Sequence, residues 1–190
     1  MIALGYFLSV TYVLMLIFGI GPIVKRFSNV ETSRKVIHIL LFVVWIIIDH
    51  YLKDTIHQVI VPVIFIVLNS LSYKFKLYKS VEREDENHLG TIYFAIAITV
   101  ILAIAYWDPK FYFPAGISVF CLTFGDGVAA LIGYNVKSAK IKGNKSIAGF
   151  FACAVATFFS VFIYSNIYEV SLGLWGILLL SFITAILELV

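Results

Sequence analysis

The sequence has few of the charged side chains that a water-facing surface needs. Charged residues make up 13% of the 190 positions and hydrophobic residues 62%, whereas a soluble domain is about a quarter charged and about half apolar. This composition excludes an ordinary soluble domain, because too little polar surface remains to cover it. The excess apolar surface needs another solvent, so the chain is predicted to lie in a lipid bilayer.

Cysteine is also scarce, and other expected signals are missing. Cys121 and Cys153 lie in apolar stretches without C-x-x-C spacing, which excludes a disulfide framework or a zinc site. The net charge of +3 does not indicate nucleic acid as a partner. The alternation of a membrane β-barrel is absent. The first apolar run has no preceding Lys or Arg and no A-x-A site, so it is interpreted as a membrane span and not as a cleavable signal peptide.

What the sequence does contain is a series of apolar runs of helical length. A helix needs about 20 residues to cross about 30 Å of hydrocarbon. We find no repeat or linker, so one domain over 1–190 is predicted, an all-α polytopic bundle of about seven spans. These spans are 2–24, 36–52, 56–73, 89–107, 111–134, 146–167 and 171–189.

The basic residues predict how the bundle is oriented. Twelve of the 14 Lys and Arg residues lie in three alternate connections, and the other three connections hold only Lys53 and Lys110. Cytoplasmic loops collect Lys and Arg, so the N-terminus is predicted to lie outside. The twelve are Lys25, Arg26, Arg34, Lys35, Lys74, Lys76, Lys79, Arg83, Lys137, Lys140, Lys142 and Lys145. Apart from setting topology, such loops attract anionic lipid head groups.

An acid inside the fifth span is the strongest functional signal. An ionised carboxylate near the centre of a membrane helix costs about 3 kcal/mol, so Asp126 indicates a functional site. Gly125 and Gly127 beside it allow local unwinding, or close approach of a ligand or another helix. A carboxylate is a ligand suited to Mg²⁺. The alternatives are a protonated, hydrogen-bonded Asp and a packing seam of small residues.

Polar residues also precede the second span. Ser28 and Glu31 have the spacing of a capping box, which predicts that a helix begins there and continues into the span. Arg34, Lys35 and His38 then lie on one stripe of that helix, and this stripe suits a chain of phosphates. The alternative is that the two cations are membrane-surface anchors and that the imidazole caps a neighbouring helix.

Two further segments carry polar chemistry. The basic, glycine-bearing loop 137–149 leads into span six, where a helix N-terminus with Lys145 and Ser146 would attract phosphate. It does not match a Walker A motif, and an ordinary positive-inside loop is the alternative. The mixed-charge segment 83–90 is either solvated or, through an acid such as Glu86, helps to hold a metal ion.

Together these residues resemble the CTP-dependent lipid-alcohol kinases, a family that includes dolichol kinase, phytol kinase and CTP-using diacylglycerol kinase. That family is related to the phosphatidate cytidylyltransferases. Many members have Glu where this chain has Ala148, and alanine is closer to the phytol kinase branch. The resemblance covers nearly the whole chain and rests on Arg34-Lys35 with His38, Arg83-Glu84 and Glu86 before Gly90, Gly125-Asp126-Gly127 with Gly133, Lys145-Ser146 with Gly149, and the late Glu188.

The resemblance implies transfer of the γ-phosphate of CTP to the hydroxyl of a membrane lipid alcohol, such as a polyprenol, phytol or diacylglycerol. It gives Mg²⁺ to Asp126 and Glu86, and it leaves the general base open between Asp126 and His38. Lys35 is the third catalytic residue that it implies. Nucleotide binding falls to Arg34, Lys35, Gly125, Gly127, Gly133, Lys145, Ser146 and Gly149.

Two other functions compete with the kinase. A phosphatidate cytidylyltransferase would make a CDP-lipid, but the carboxylate-rich C-terminal signature of that family is not present. A small cation- or proton-coupled transporter would use Asp126 as its ion site. Against transport, the polar residues cluster on the predicted cytoplasmic side, with no polar path to the other side.

Overall fold

The computed structural model describes residues 1–75 and 89–189, and these residues are predominantly helical. A π-helical turn, Leu16–Ile20, joins α1 to α2, and a second, Cys121–Gly125, joins α7 to α8. A 3₁₀ turn, Pro109–Phe111, leads into α7. The helices are α1 (Ile2–Met15), α2 (Gly21–Phe27), α3 (Val30–Leu40), α4 (Phe42–Tyr51), α5 (His57–Phe75), α6 (Gly90–Trp107), α7 (Tyr112–Phe120), α8 (Asp126–Asn135), α9 (Ile147–Ile167) and α10 (Gly173–Glu188).

Five helices in these two ranges are long and apolar enough to cross a membrane, which confirms the all-α membrane class. They correspond to five of the predicted spans. Two other predicted spans are shorter helices: α4 has 10 residues and α10 has 16, or about 15 and 24 Å at 1.5 Å per residue. The five long helices are Ile2–Phe27, His57–Phe75, Gly90–Trp107, Pro109–Asn135 and Ile147–Ile167.

The start of α3 corrects one sequence prediction. The N-cap is Asn29, whose side-chain oxygen accepts the Thr32 N–H at 2.8 Å. The predicted capping box is therefore wrong, because Asn29 and not Ser28 is the N-cap, and the Glu31 carboxylate accepts from Arg34. Asn and Ser cap helices about equally well, so adjacent residues of these two types leave the N-cap undecided from sequence. The helix also does not run unbroken into the span, since α3 ends at Leu40 and α4 begins at Phe42.

The chain divides into two compact units, Met1–Ala115 and Gly116–Val190. In the first unit α1 packs against α4, α2 against α3, and α5 against α6. A buried cluster of Val13, Leu16, Ile17 and Ile37 surrounds the first π-helical turn. This division does not test the prediction of one domain over 1–190, which stays a prediction.

The second unit is built around α9, against which both α8 and α10 pack. Each of these three helices contributes one small buried residue, Ala129, Cys153 or Ala185, to a common cluster. Small residues allow membrane helices to approach closely. Between α8 and α9 lies an antiparallel hairpin of two short strands, β1 (Lys140–Lys142) and β2 (Lys145–Ser146).

Candidate functional site

Asp126 is the first residue of α8 and directly follows the π-helical turn Cys121–Gly125. Its side chain is half-buried and lies within the membrane-length helix Pro109–Asn135. Gly125 has helical backbone angles, φ −58° and ψ −61°, so the unwinding that the flanking glycines allow does not occur at this position. Single π-turns within helices are frequent at functional sites, and this one immediately precedes the acid.

The glycines around Asp126 bring helices together. A Cβ on Gly125 would lie 2.7 Å from the Thr157 hydroxyl oxygen of α9. Gly133 of α8 and Gly149 of α9 face each other, since a Cβ on Gly149 would lie 3.4 Å from the Gly133 Cα. Gly127 is buried. The contacts of Gly125, Gly133 and Gly149 therefore support a role in close helix packing, which is one of the roles expected for small residues in membrane helices.

The N-terminus of α9 is already well capped. The Ser146 hydroxyl accepts the Gly149 N–H at 3.2 Å. The Ala148 N–H donates to the Ser138 hydroxyl at 3.1 Å, and the Ile147 N–H donates to the Ala139 carbonyl at 2.9 Å. The free backbone N–H groups that would attract phosphate at a bare helix end are therefore in use at these three residues. The remaining groups at this end of the unit that suit an anion are side chains.

The lysines of the hairpin supply those side chains. Lys142 and Lys145 are partners across the two strands, an arrangement in which like charges repel. Lys137, Lys140 and Lys142 are exposed, and the Lys140 ammonium donates to the Asn144 carbonyl at 3.1 Å. The hairpin therefore concentrates positive charge next to the start of α9.

Lys145 differs from the other hairpin lysines because it forms an ion pair with Glu188 at the end of α10. The Glu188 side chain is only 8% exposed, whereas that of Lys145 is 42% exposed. Cys153 of α9 lies within electrostatic range of both Glu188 and Asp126. The intramembrane acid and the ion-paired lysine therefore belong to one neighbourhood in the second unit.

The first unit holds a separate group of predicted site residues on α3. The Arg34 guanidinium bonds to the Glu31 carboxylate at 2.5 Å, and a Cβ on Gly90 would lie 3.3 Å from Arg34 Nη1. His38 lies four residues after Arg34 on α3, and its ring contacts the Phe94 ring of α6 with 4.5 Å between centroids. The same stripe carries Lys35, whose side chain is half-buried. The structure thus brings together Arg34 and Gly90, which come from two separate motifs.

The metal prediction stays a prediction, and of its two acids only Asp126 lies within the described residues. Glu86, together with Arg83 and Glu84, lies outside the ranges 1–75 and 89–189. Within those ranges, no three His, Cys, Asp or Glu side chains are grouped closely enough to hold a metal ion by themselves. Mg²⁺ is commonly held by one or two carboxylates together with substrate phosphates, so the carboxylate of Asp126 fits that kind of site.

Sequence reasoning missed the partner of Lys145. In the sequence, Glu188 stands out only as a late glutamate of the resembling family, and Lys145 only as a cation at a helix start. A single acid at the end of an apolar run was the available signal, since such an acid requires a counter-charge. Comparisons of the chain with protein-family models, curated proteins and solved structures found no match.

Proposed function

We propose that the chain is a membrane kinase that transfers the γ-phosphate of CTP to the hydroxyl of a lipid alcohol at the cytoplasmic face of the cell membrane. The observation that carries this proposal is in the second unit. There Asp126 begins a helix within a membrane-length segment, and both Asp126 and Glu188, the ion-pair partner of Lys145, lie near Cys153. An acid for a metal ion and a cation for phosphate are the two groups that phosphoryl transfer needs most.

The proposal includes seven spans with the N-terminus outside. Lys25 and Arg26 lie in the last turn of α2, and Lys74 lies in the last turn of α5. The positive-inside rule assigns both helix ends to the cytoplasm. Since α5 crosses the membrane once, the chain between α2 and α5 must cross it once as well. The stretch 30–51, which contains α3 and α4, is about 33 Å long at 1.5 Å per residue and can make that crossing.

The side chains of the second unit would divide the work. Asp126 would hold Mg²⁺ together with phosphate oxygens, and the bound ion would offset charge on the triphosphate. Lys145 and the exposed hairpin lysines would neutralise the remaining negative charge. Gly125, Gly133 and Gly149 would act by keeping α8 and α9 close together.

The side chains of the first unit have roles that individual variants can separate. The nucleotide-binding roles of Arg34 and Lys35 in this proposal rest on the resemblance alone. His38 and Asp126 are the two candidates for the group that accepts the hydroxyl proton. A pH–rate profile for His38→Gln distinguishes them, because loss of an imidazole base removes the profile's acidic limb.

Asp126→Asn is expected to lower phosphate transfer at least about a hundredfold, because it removes the charged ligand at the position where charge develops. The measurement is transfer of label from γ-labelled CTP into lipid by purified protein with Mg²⁺. Asp54→Asn is the matched control: Asp54 is exposed and has φ 60°, a conformation that Asn adopts easily. Near-normal transfer by Asp126→Asn would contradict the metal role.

The same assay separates the competing functions. Parallel reactions with CTP and ATP are run against polyprenols, phytol and diacylglycerol, and against phosphatidate. Label from the γ-phosphate in a lipid supports a kinase and identifies donor and acceptor. Cytidine in a lipid with release of pyrophosphate supports a cytidylyltransferase. No transfer of either kind rejects both enzymes and leaves Asp126 as the ion site of a transporter.

A further inference from the structure

Glu188 lies where a carboxylate is unfavourable for two reasons. It is the last residue of α10, and the C-terminal end of a helix carries partial negative charge. Its side chain is also 8% exposed, and a buried carboxylate requires a partner. Lys145, which is 43 residues earlier in the chain, provides that partner.

Lys145, in turn, would be poorly held without Glu188. It begins a strand of two residues, and its cross-strand neighbour is another lysine, Lys142. A lysine has a flexible stem with many rotamers, and it must lose that freedom to bind a ligand. When the ion pair is already formed in the folded protein, the lysine side chain has lost most of its conformational entropy before the ligand arrives. Less entropy is then lost on binding.

The pair leaves Lys145 able to bind a second anion. An ammonium has three N–H donors, and the bond to Glu188 uses one of them. The side chain of Lys145 is 42% exposed, so a ligand can reach it, whereas the carboxylate that holds it is almost fully buried. Glu188 is therefore placed to orient the lysine without contacting the ligand itself.

We infer that Glu188 is a positioning residue: through its ion pair it holds the Lys145 ammonium ready to bind the phosphate groups of a nucleotide. This inference rests on the proposed function for the identity of the ligand. It adds a residue from the far end of the chain, on α10, to a phosphate-binding group that otherwise comes from the hairpin before α9.

The test uses the full-length purified protein and inorganic pyrophosphate with Mg²⁺ as the probe. Acetic anhydride acetylates lysine amines, and mass spectrometry of peptides gives the rate at Lys145. Pyrophosphate is expected to slow acetylation of Lys145. In Glu188→Gln, half-protection is expected to need about tenfold more pyrophosphate, which is the effect of losing a hydrogen bond between charged groups. The exposed Lys25 of the first unit, which has no role in the proposed site, is the internal control for reagent activity.

Two further variants make the result specific. Glu188→Asp keeps the charge on a shorter stem and is expected to show a smaller shift than Glu188→Gln. Should Glu188→Gln not fold, this variant alone decides, and an unchanged pyrophosphate requirement overturns the inference. Glu169→Gln makes the same chemical change at an exposed glutamate of the same unit and is expected to match the wild type.

Kinetics provide the second measurement. Glu188→Gln is expected to raise KM for CTP about tenfold with a much smaller change in kcat, whereas general damage to the fold would lower kcat as well. Equal protection of Lys145 in wild type and Glu188→Gln, or no protection in the wild type, overturns the inference. Suppose that pyrophosphate protects Lys145 in the wild type and that Glu188→Gln needs more of it, but that the wild type transfers no phosphate. That result rejects the kinase and supports the positioning role of Glu188.

Discussion

At Gly149 the structure leaves no room for a methyl group. A Cβ there would lie 2.9 Å from the Ala129 carbonyl oxygen, and a backbone atom cannot rotate away. Gly149→Ala is therefore expected to destabilise the protein by about 1–3 kcal/mol, the usual cost of overpacking. Thermal unfolding in detergent micelles measures the effect.

The matched control is Gly176→Ala within α10. The nearest atom to a Cβ at this position is the Leu172 Cβ, at an ordinary contact distance of 3.8 Å. Because alanine favours helix over glycine by up to about 1 kcal/mol, this variant is expected to be as stable as the wild type or slightly more stable. Equal losses of stability in the two variants would contradict the packing role of Gly149.

Single residues differed in how far sequence could define their role. Asp126 was identified because an acid in an apolar run is costly whatever surrounds it, and Ser146 was placed at the start of span six, where it is the N-cap of α9. The partner of Lys145 could not be identified in the same way. An ion pair between residues 145 and 188 depends on how α10 packs against α9, and no local pattern records that packing.

At the scale of one element, the N-terminus of α3 is capped by the Asn29 side chain, which accepts the Thr32 N–H. Asn29→Ala is expected to destabilise the protein by about 1 kcal/mol, the typical cost of losing an N-cap. Ser28→Ala, one residue earlier, is expected to change stability by less than about 0.5 kcal/mol, as surface substitutions usually do. Thermal unfolding of both variants measures these losses of stability. A larger loss in Ser28→Ala than in Asn29→Ala would indicate that Ser28 is the N-cap.

The long helices could be predicted because length and apolar content are sufficient to define them. The break between α3 and α4 could not, since Leu40, Leu41 and Phe42 include no Gly or Pro. The hairpin could not be predicted either, because strands of three and two residues are too short to show alternation. A local signal was Gly143, which has φ 53° in the turn, a conformation that favours glycine.

At the scale of the whole molecule, the proposed seven-span topology predicts that Lys110 is extracellular and Lys137 cytoplasmic. Lys110→Cys is expected to react with a membrane-impermeant maleimide in intact cells, whereas Lys137→Cys is expected to react only after permeabilisation. Both lysines are exposed on the protein, so burial within the protein does not explain a difference in labelling. The parent chain, whose Cys121 and Cys153 lie inside helices, gives the background. Labelling of Lys137→Cys in intact cells would contradict the orientation.

The direction in which the Asp126 carboxylate points depends on the number of residues in the π-helical turn that precedes it. Each residue of a regular helix turns the chain by about 100°, and a π-turn accommodates one residue more than a regular turn does. A chain shortened by one residue within Cys121–Gly125 would keep its apolar length and its acid, yet would present that acid on a different side of the helix. Relatives of this chain are therefore best compared by the spacing between 121 and 126 as well as by the presence of the aspartate.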